Sequence, residues 1–186
     1  MLKTLFISLL LCAQVLASHK TIGIYEKYPI ADPECVDATR LVLQQQYEVK
    51  IIQHNDLTPS TLKRLNCILF PGGLGDSDQF DEHLIGKKQM IQDYVGNGGR
   101  YVGICMGSYF AGRHYFDILG EVDAVQYIKR PHANVTTEHQ TIANCFWFGR
   151  ETIMYFFDGA AFVGKLDPKN VMARYSNGDA CAYIQK

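Results

Sequence analysis

Apolar and polar residues along this chain follow two periods, and the switches between them mark out its elements. Short β-branched and apolar runs at Thr21–Tyr25, Val49–Ile52, Cys67–Phe70 and Arg100–Ile104 read as strands. The segments between them carry helical spacing. Glu34–Tyr47 is read as an amphipathic helix with Val36, Leu41 and Val42 on its apolar face, capped by Asp32 ahead of Pro33. Thr58-Pro59 opens a short helix through Leu65. Phe80–Val95 is read as one long helix with Leu84, Ile91 and Val95 on one side, stopped by Gly96-Asn97-Gly98-Gly99. Another helix is expected from just past Cys105 to about Tyr115. Strands alternating with helices predict an α/β fold with a doubly wound parallel sheet and right-handed crossovers.

Beyond Gly120 the pattern turns to strands in irregular surroundings, at Ala124–Ile128, Ile142–Trp147 and Thr152–Phe156. Asp158-Gly159-Ala160 reads as a turn. Val171–Tyr175 and Ala180–Ile184 read as a hairpin around Ser176-Asn177-Gly178-Asp179. This part is expected to form a C-terminal antiparallel β extension.

Composition narrows the reading. A chain of 186 residues, 47% hydrophobic and 20% charged, can bury one sizeable core. Its 18 basic and 19 acidic residues leave a net charge of -1, which gives no pull toward nucleic acid or an anionic membrane. Lys3, the apolar run Leu5–Leu16 and the small residues Ala17 and Ser18 have the form of a secretory signal peptide over 1–18, leaving a single domain at 19–186. The run is shorter than the ~20 apolar residues that span a bilayer, so stable membrane insertion is not expected and the location is secreted or periplasmic.

Export changes how the cysteines read. Without Cys12, the remaining Cys35, Cys67, Cys105, Cys145 and Cys181 are odd in number, so one thiol is unpaired or pairs with another molecule. No CxxC or Cys/His pair has zinc spacing, and neither a metal nor a cofactor is expected.

Candidate chemistry centres on Gly103-Ile104-Cys105-Met106-Gly107, the cysteine version of the G-x-S-x-G turn between a strand and a helix. A turn that tight leaves no room beside the nucleophile, which accounts for the glycines. The helix starting behind Cys105 offers unpaired N–H groups and a positive dipole end, and both are expected to favour thiolate. Upstream, Cys67-Ile68-Leu69-Phe70 ends in Pro71-Gly72-Gly73. Two parallel strands ending in glycine-rich turns converge on one crevice in an open α/β sheet.

Together, Ile68–Gly73 and Gly99–Phe110 resemble the class I glutamine amidotransferase-like superfamily, and within it the biotin-protein ligase N-terminal domain family. The resemblance implies a flavodoxin-like sheet, Cys105 in the nucleophile position, and an oxyanion hole from backbone N–H groups of Gly72, Gly73 and Met106. It also implies a His-x-Glu pair late in the chain, and the sequence has none. His132 and His139 in the β region are the candidates for a substitute base. His114, nine residues past Cys105 on the expected helix, lies too many turns away. Glu26 and Glu34, just beyond the first strand, are placed to act as an acidic partner. Met106 stands where an intracellular-protease branch has histidine, and no ATP-handling motif of a biotin ligase is present. Two functions stay open. One is amide or ester hydrolysis or acyl transfer on a small ligand through Cys105; the other is a catalytically silent ligand-binding or interaction module. Oligomeric state is not legible.

Overall fold

The computed structural model describes residues 20–186 apart from the side chain of Ser77, and the expected signal peptide over 1–18 lies outside them. Strand β1 (Thr21–Glu26) is followed by helix α1 (Pro33–Leu43), β2 (Glu48–Gln53), the short α2 (Pro59–Leu62) and β3 (Cys67–Phe70). Then come α3 (Ser77–His83), α4 (Lys88–Gly96), β4 (Arg100–Gly103) and α5 (Met106–Phe110). The strands form a parallel sheet in the order β2-β1-β3-β4. Because β1 has β2 on one side and β3 on the other, crossovers leave it in both directions and a crevice opens at the carboxyl edge.

Local chemistry explains most boundaries. The Asp32 carboxylate accepts from the Glu34 N–H at the start of α1, as its capping position requires. That helix ends at Leu43 rather than Tyr47, and only Val36 of its expected apolar face is buried; Leu41 and Val42 are exposed. The long helix expected over 80–95 is two helices, with a 3₁₀ turn at Ile85–Lys87 between them. Gly86, a poor helix former, sits in that turn. Gly98, with φ 89°, closes the end of α4 in the left-handed region.

The helix after Cys105 is also shorter than expected, stopping at Phe110 instead of Tyr115. The Asp123 carboxylate accepts from the Arg113 N–H and pulls the following chain into a turn.

The remaining strands are β5 (Val122–Gln126), β6 (Thr141–Trp147), β7 (Arg150–Phe156), β8 (Ala160–Gly164), β9 (Val171–Tyr175) and β10 (Ala180–Tyr183). They build an antiparallel sheet in the order β5-β8-β10-β9-β6-β7. This sheet is the expected extension, enlarged by β8, which the sequence pattern left unassigned. Helix α5 packs on β3 and β4 and also on β5 and β8, so it joins the two sheets.

Beneath the carboxyl edge lies an aromatic core. Phe70 stacks on Tyr25 at 4.7 Å and on Tyr101 at 5.3 Å, with Phe116 edge-on at 5.3 Å. Buried rings of this kind contribute roughly 1.5–3 kcal/mol each by area, plus a smaller gain from ring geometry. Phe70 is the last residue of β3, so this packing fixes the strand end that leads into Gly72.

Candidate functional site

Two glycines let α5 fold back over the end of its own strand. A side chain at Gly107 would place its Cβ 2.0 Å from the Phe70 carbonyl oxygen, and one at Gly103 would lie 2.3 Å from the Gly107 oxygen. Two further hydrogen bonds lock the turn: the Tyr101 hydroxyl donates to the Gly107 carbonyl at 2.7 Å, and the Ser108 hydroxyl donates to the Gly103 carbonyl at 3.0 Å. Cys105 stands at the apex as the residue that caps α5, with φ 51° and ψ -110°. Only glycine adopts that backbone freely, so a side chain here is held under strain of about 1–3 kcal/mol.

The surroundings of the thiol come from three parts of the chain. Its Sγ donates to the Phe157 carbonyl at 3.5 Å, while the Met106 N–H points at the sulfur. On another side, Gly72 leaves a gap: a Cβ built there would lie 3.5 Å from Cys105 Cβ and 3.3 Å from Cys35 Sγ. The Asp32 N–H donates to the Gly72 carbonyl at 2.9 Å and ties the start of α1 to this loop. The third part is the turn before β8. Asp158, with φ 42°, accepts from the Tyr109 hydroxyl on its backbone carbonyl at 3.0 Å and from Gln126 Nε2 on Oδ2 at 2.9 Å. Its Oδ1 is buried without a hydrogen-bond partner among the described residues.

This environment reverses the expected state of the sulfur. Burial pushes the Cys105 thiol up to about 11, and the Asp158 carboxylate pushes the same way, as does the Cys35 sulfur once it is ionised; the Met106 N–H opposes them. The expectation that the helix start would favour thiolate therefore fails. A five-residue helix and one N–H do not offset the loss of solvation. At neutral pH the site presents a protonated thiol that acts as a hydrogen-bond donor.

The candidate residues stand in different surroundings. Gly72 and Met106 border Cys105, whereas Gly73 is pressed against the Ile30 carbonyl, 2.0 Å from where its Cβ would stand. Glu26 accepts from Gln53 Nε2 at the ends of β1 and β2. His132 is exposed on a turn, with φ 58°; His114 and His139 are exposed as well. Glu34 is exposed beside its cap at Asp32. The ionisable groups that act on the Cys105 thiol are Asp158 and Cys35, the second only once it is deprotonated. Sequence reasoning had Asp158 only as a turn residue and Cys35 only as one of an odd set. Pairing across 53 positions leaves no local pattern to read.

Among the described residues no cluster of three His, Cys, Asp or Glu side chains could hold a metal ion, and no helix is long and apolar enough to cross a membrane.

A family described as biotin-protein ligase, N terminal, matches residues 30–125. No curated protein sequence matches the chain. Among solved structures, a glutamine amidotransferase is similar at 14% identity and a TM-score of 0.59, covering 85% of this chain and 82% of that one. A glutamine amidotransferase from Thermotoga maritima is similar at 13% identity and a TM-score of 0.57, covering 87% of this chain and 70% of that one. Likeness at this level establishes a shared α/β, flavodoxin-like fold.

Proposed function

The chain belongs to the biotin-protein ligase N-terminal family, and from that premise we propose that it is a ligand-binding module of the amidotransferase-like fold. In this reading the Cys105 turn holds a small amide or amino-acid-like ligand without attacking it, and no biotin ligase activity accompanies it. The observation that carries the reading is the thiol itself: it donates a hydrogen bond to the Phe157 carbonyl, and burial favours the protonated form. A second reading, acyl transfer by Cys105, is supported by the strained backbone at that residue and by the Met106 N–H beside the sulfur. Such an N–H is suited to an oxyanion, and strain of this kind gathers at functional sites.

Alkylation of Cys105 by iodoacetamide, followed on its peptide by mass spectrometry across pH, separates the two. Thiolate is the reacting form, so a thiol pushed up to about 11 stays nearly inert at pH 7 and gains rate about tenfold per pH unit up to that value. L-glutamine in excess is expected to protect the peptide at pH 10. Fast alkylation at pH 7 would reject the binding-module reading in favour of the nucleophile.

Export belongs to the same proposal, with removal of residues 1–18 and a single domain at 19–186. It is supported by the charged start, short apolar run and small residues of the N-terminal sequence. Intact-mass analysis of secreted or periplasmic protein is expected to find a start near His19; retention of Met1 would count against it.

A further inference from the structure

The outer face of the β6–β7 hairpin carries large apolar side chains directed to solvent. Ile142 faces Tyr155 in register, and Phe146 and Ile153 lie on the same side of the ladder. These four residues are 42–67% exposed, and Phe148 at the hairpin tip is 66% exposed. Alternate residues of the same strands, Ala143, Cys145 and Phe156, are buried on the inner face. At about 200 Å² per side chain, the exposed fractions of the four amount to roughly 470 Å² on this face, and to about 600 Å² with Phe148 at its tip. A stable interface takes about 800 Å² per partner. Among the described residues, β7 is also the terminal strand of its sheet.

The charges on this face are ordered. Glu151 on β7 is in register with Phe146 on β6, and Phe146 with Arg174 on β9, giving a row of acid, ring and base across three strands. A row of that kind is complementary to its own reverse.

We propose that this face is an isologous interface with a second copy of the chain. The two outer faces stack about a two-fold axis that runs along the strands and passes through Phe146, so that β6 lies over β6 and β7 of each copy lies over the β9 side of the other. Sheets packed in this way stay aligned and lie ~10 Å apart, so Ile142 and Phe146 of the two copies meet along the axis, with Ile153 and Tyr155 flanking them. The axis reverses the row, laying Glu151 of each copy over Arg174 of the other, and both contacts form at once because the interface is two-fold.

Sedimentation velocity of the expressed chain over a concentration series is expected to show a monomer–dimer equilibrium. Ile153→Lys is expected to weaken it by on the order of 100-fold, since it buries an unpaired charge, while leaving the thermal melt unchanged at concentrations where both proteins are monomeric. Glu151→Arg and Arg174→Glu are each expected to weaken the dimer, and the double variant to return it to within a few-fold of the parent. A monomer at every concentration, a dimer that tolerates Ile153→Lys, or a double variant that fails to restore association despite a normal melt would each overturn the proposal. Loss of binding to phosphatidylglycerol vesicles by Ile153→Lys, with the parent chain monomeric, would assign the face to a lipid surface instead.

Discussion

Gly107→Val is expected to leave little or no folded protein. The added Cβ would stand 2.0 Å from the Phe70 carbonyl oxygen, far inside contact distance, and neither side can yield. That oxygen already accepts the Ile104 N–H at 3.0 Å, and the Phe70 ring is clamped between Tyr25 and Tyr101. On the other side, the Gly107 carbonyl is held by the Tyr101 hydroxyl at 2.7 Å. Relief would require lifting α5 off β3, and with it the packing that joins the two sheets. A loss above ~4 kcal/mol is the scale of the most damaging substitutions, set against a total stability of about 5–15 kcal/mol. Soluble yield and thermal melts by circular dichroism check it, with Gly96→Ala as the contrast. At the end of α4 a Cβ meets nothing within 4 Å, so alanine there should be neutral or stabilise by a few tenths to about 1 kcal/mol. A Gly107→Val protein melting within a few degrees of the parent would show that the turn is not built as described.

The elements that the sequence pattern located well are those whose signals are local. β3 and β9 fall at their expected residues, and Asp32 caps α1 as its position before Pro33 requires. Elements misjudged were those decided by distant contacts. The helix after Cys105 has apolar spacing through Tyr115, yet the carboxylate of Asp123, on β5, stops the chain in a turn. Strand β8 was missed because Ala160-Ala161 is poor in strand-forming side chains, and its conformation comes from pairing with β5 and β10.

The same division applies to the site. Glycines at 103 and 107 announce a tight turn at Cys105, and Gly72 announces a loop close to it. The protonation of the thiol depends instead on burial, on Phe157 and Asp158 from the approach to β8, and on Cys35 from α1. A motif thus states where a cysteine stands on a strand-to-helix turn; its acidity is set by whatever else the fold brings there.

Backbone strain at Cys105 can be measured apart from its chemistry by comparing Cys105→Ala with Cys105→Gly. In ordinary backbone, glycine is less stable than alanine by roughly 0.5–1 kcal/mol because its unfolded chain has more freedom to lose. At φ 51° and ψ -110° the order is expected to reverse. Alanine keeps the clash of its Cβ with the neighbouring backbone, whereas glycine removes it, releasing about 1–3 kcal/mol. Both variants lose the sulfur and its bond to Phe157, so that contribution cancels in the comparison. Glycine should therefore exceed alanine in stability by about 1–2 kcal/mol in urea denaturation, with equal slopes. Cys105→Ser, which keeps a side chain and a donor of similar size, should fold with the strain intact and lose thiol alkylation. If glycine at 105 were favoured, keeping a cysteine there would mean that the domain accepts a stability deficit to hold this sulfur beside Gly72 and the Met106 N–H. Equal or lower stability of Cys105→Gly relative to Cys105→Ala would mean that the turn imposes no such strain, leaving burial of a small apolar side chain as sufficient reason for the residue.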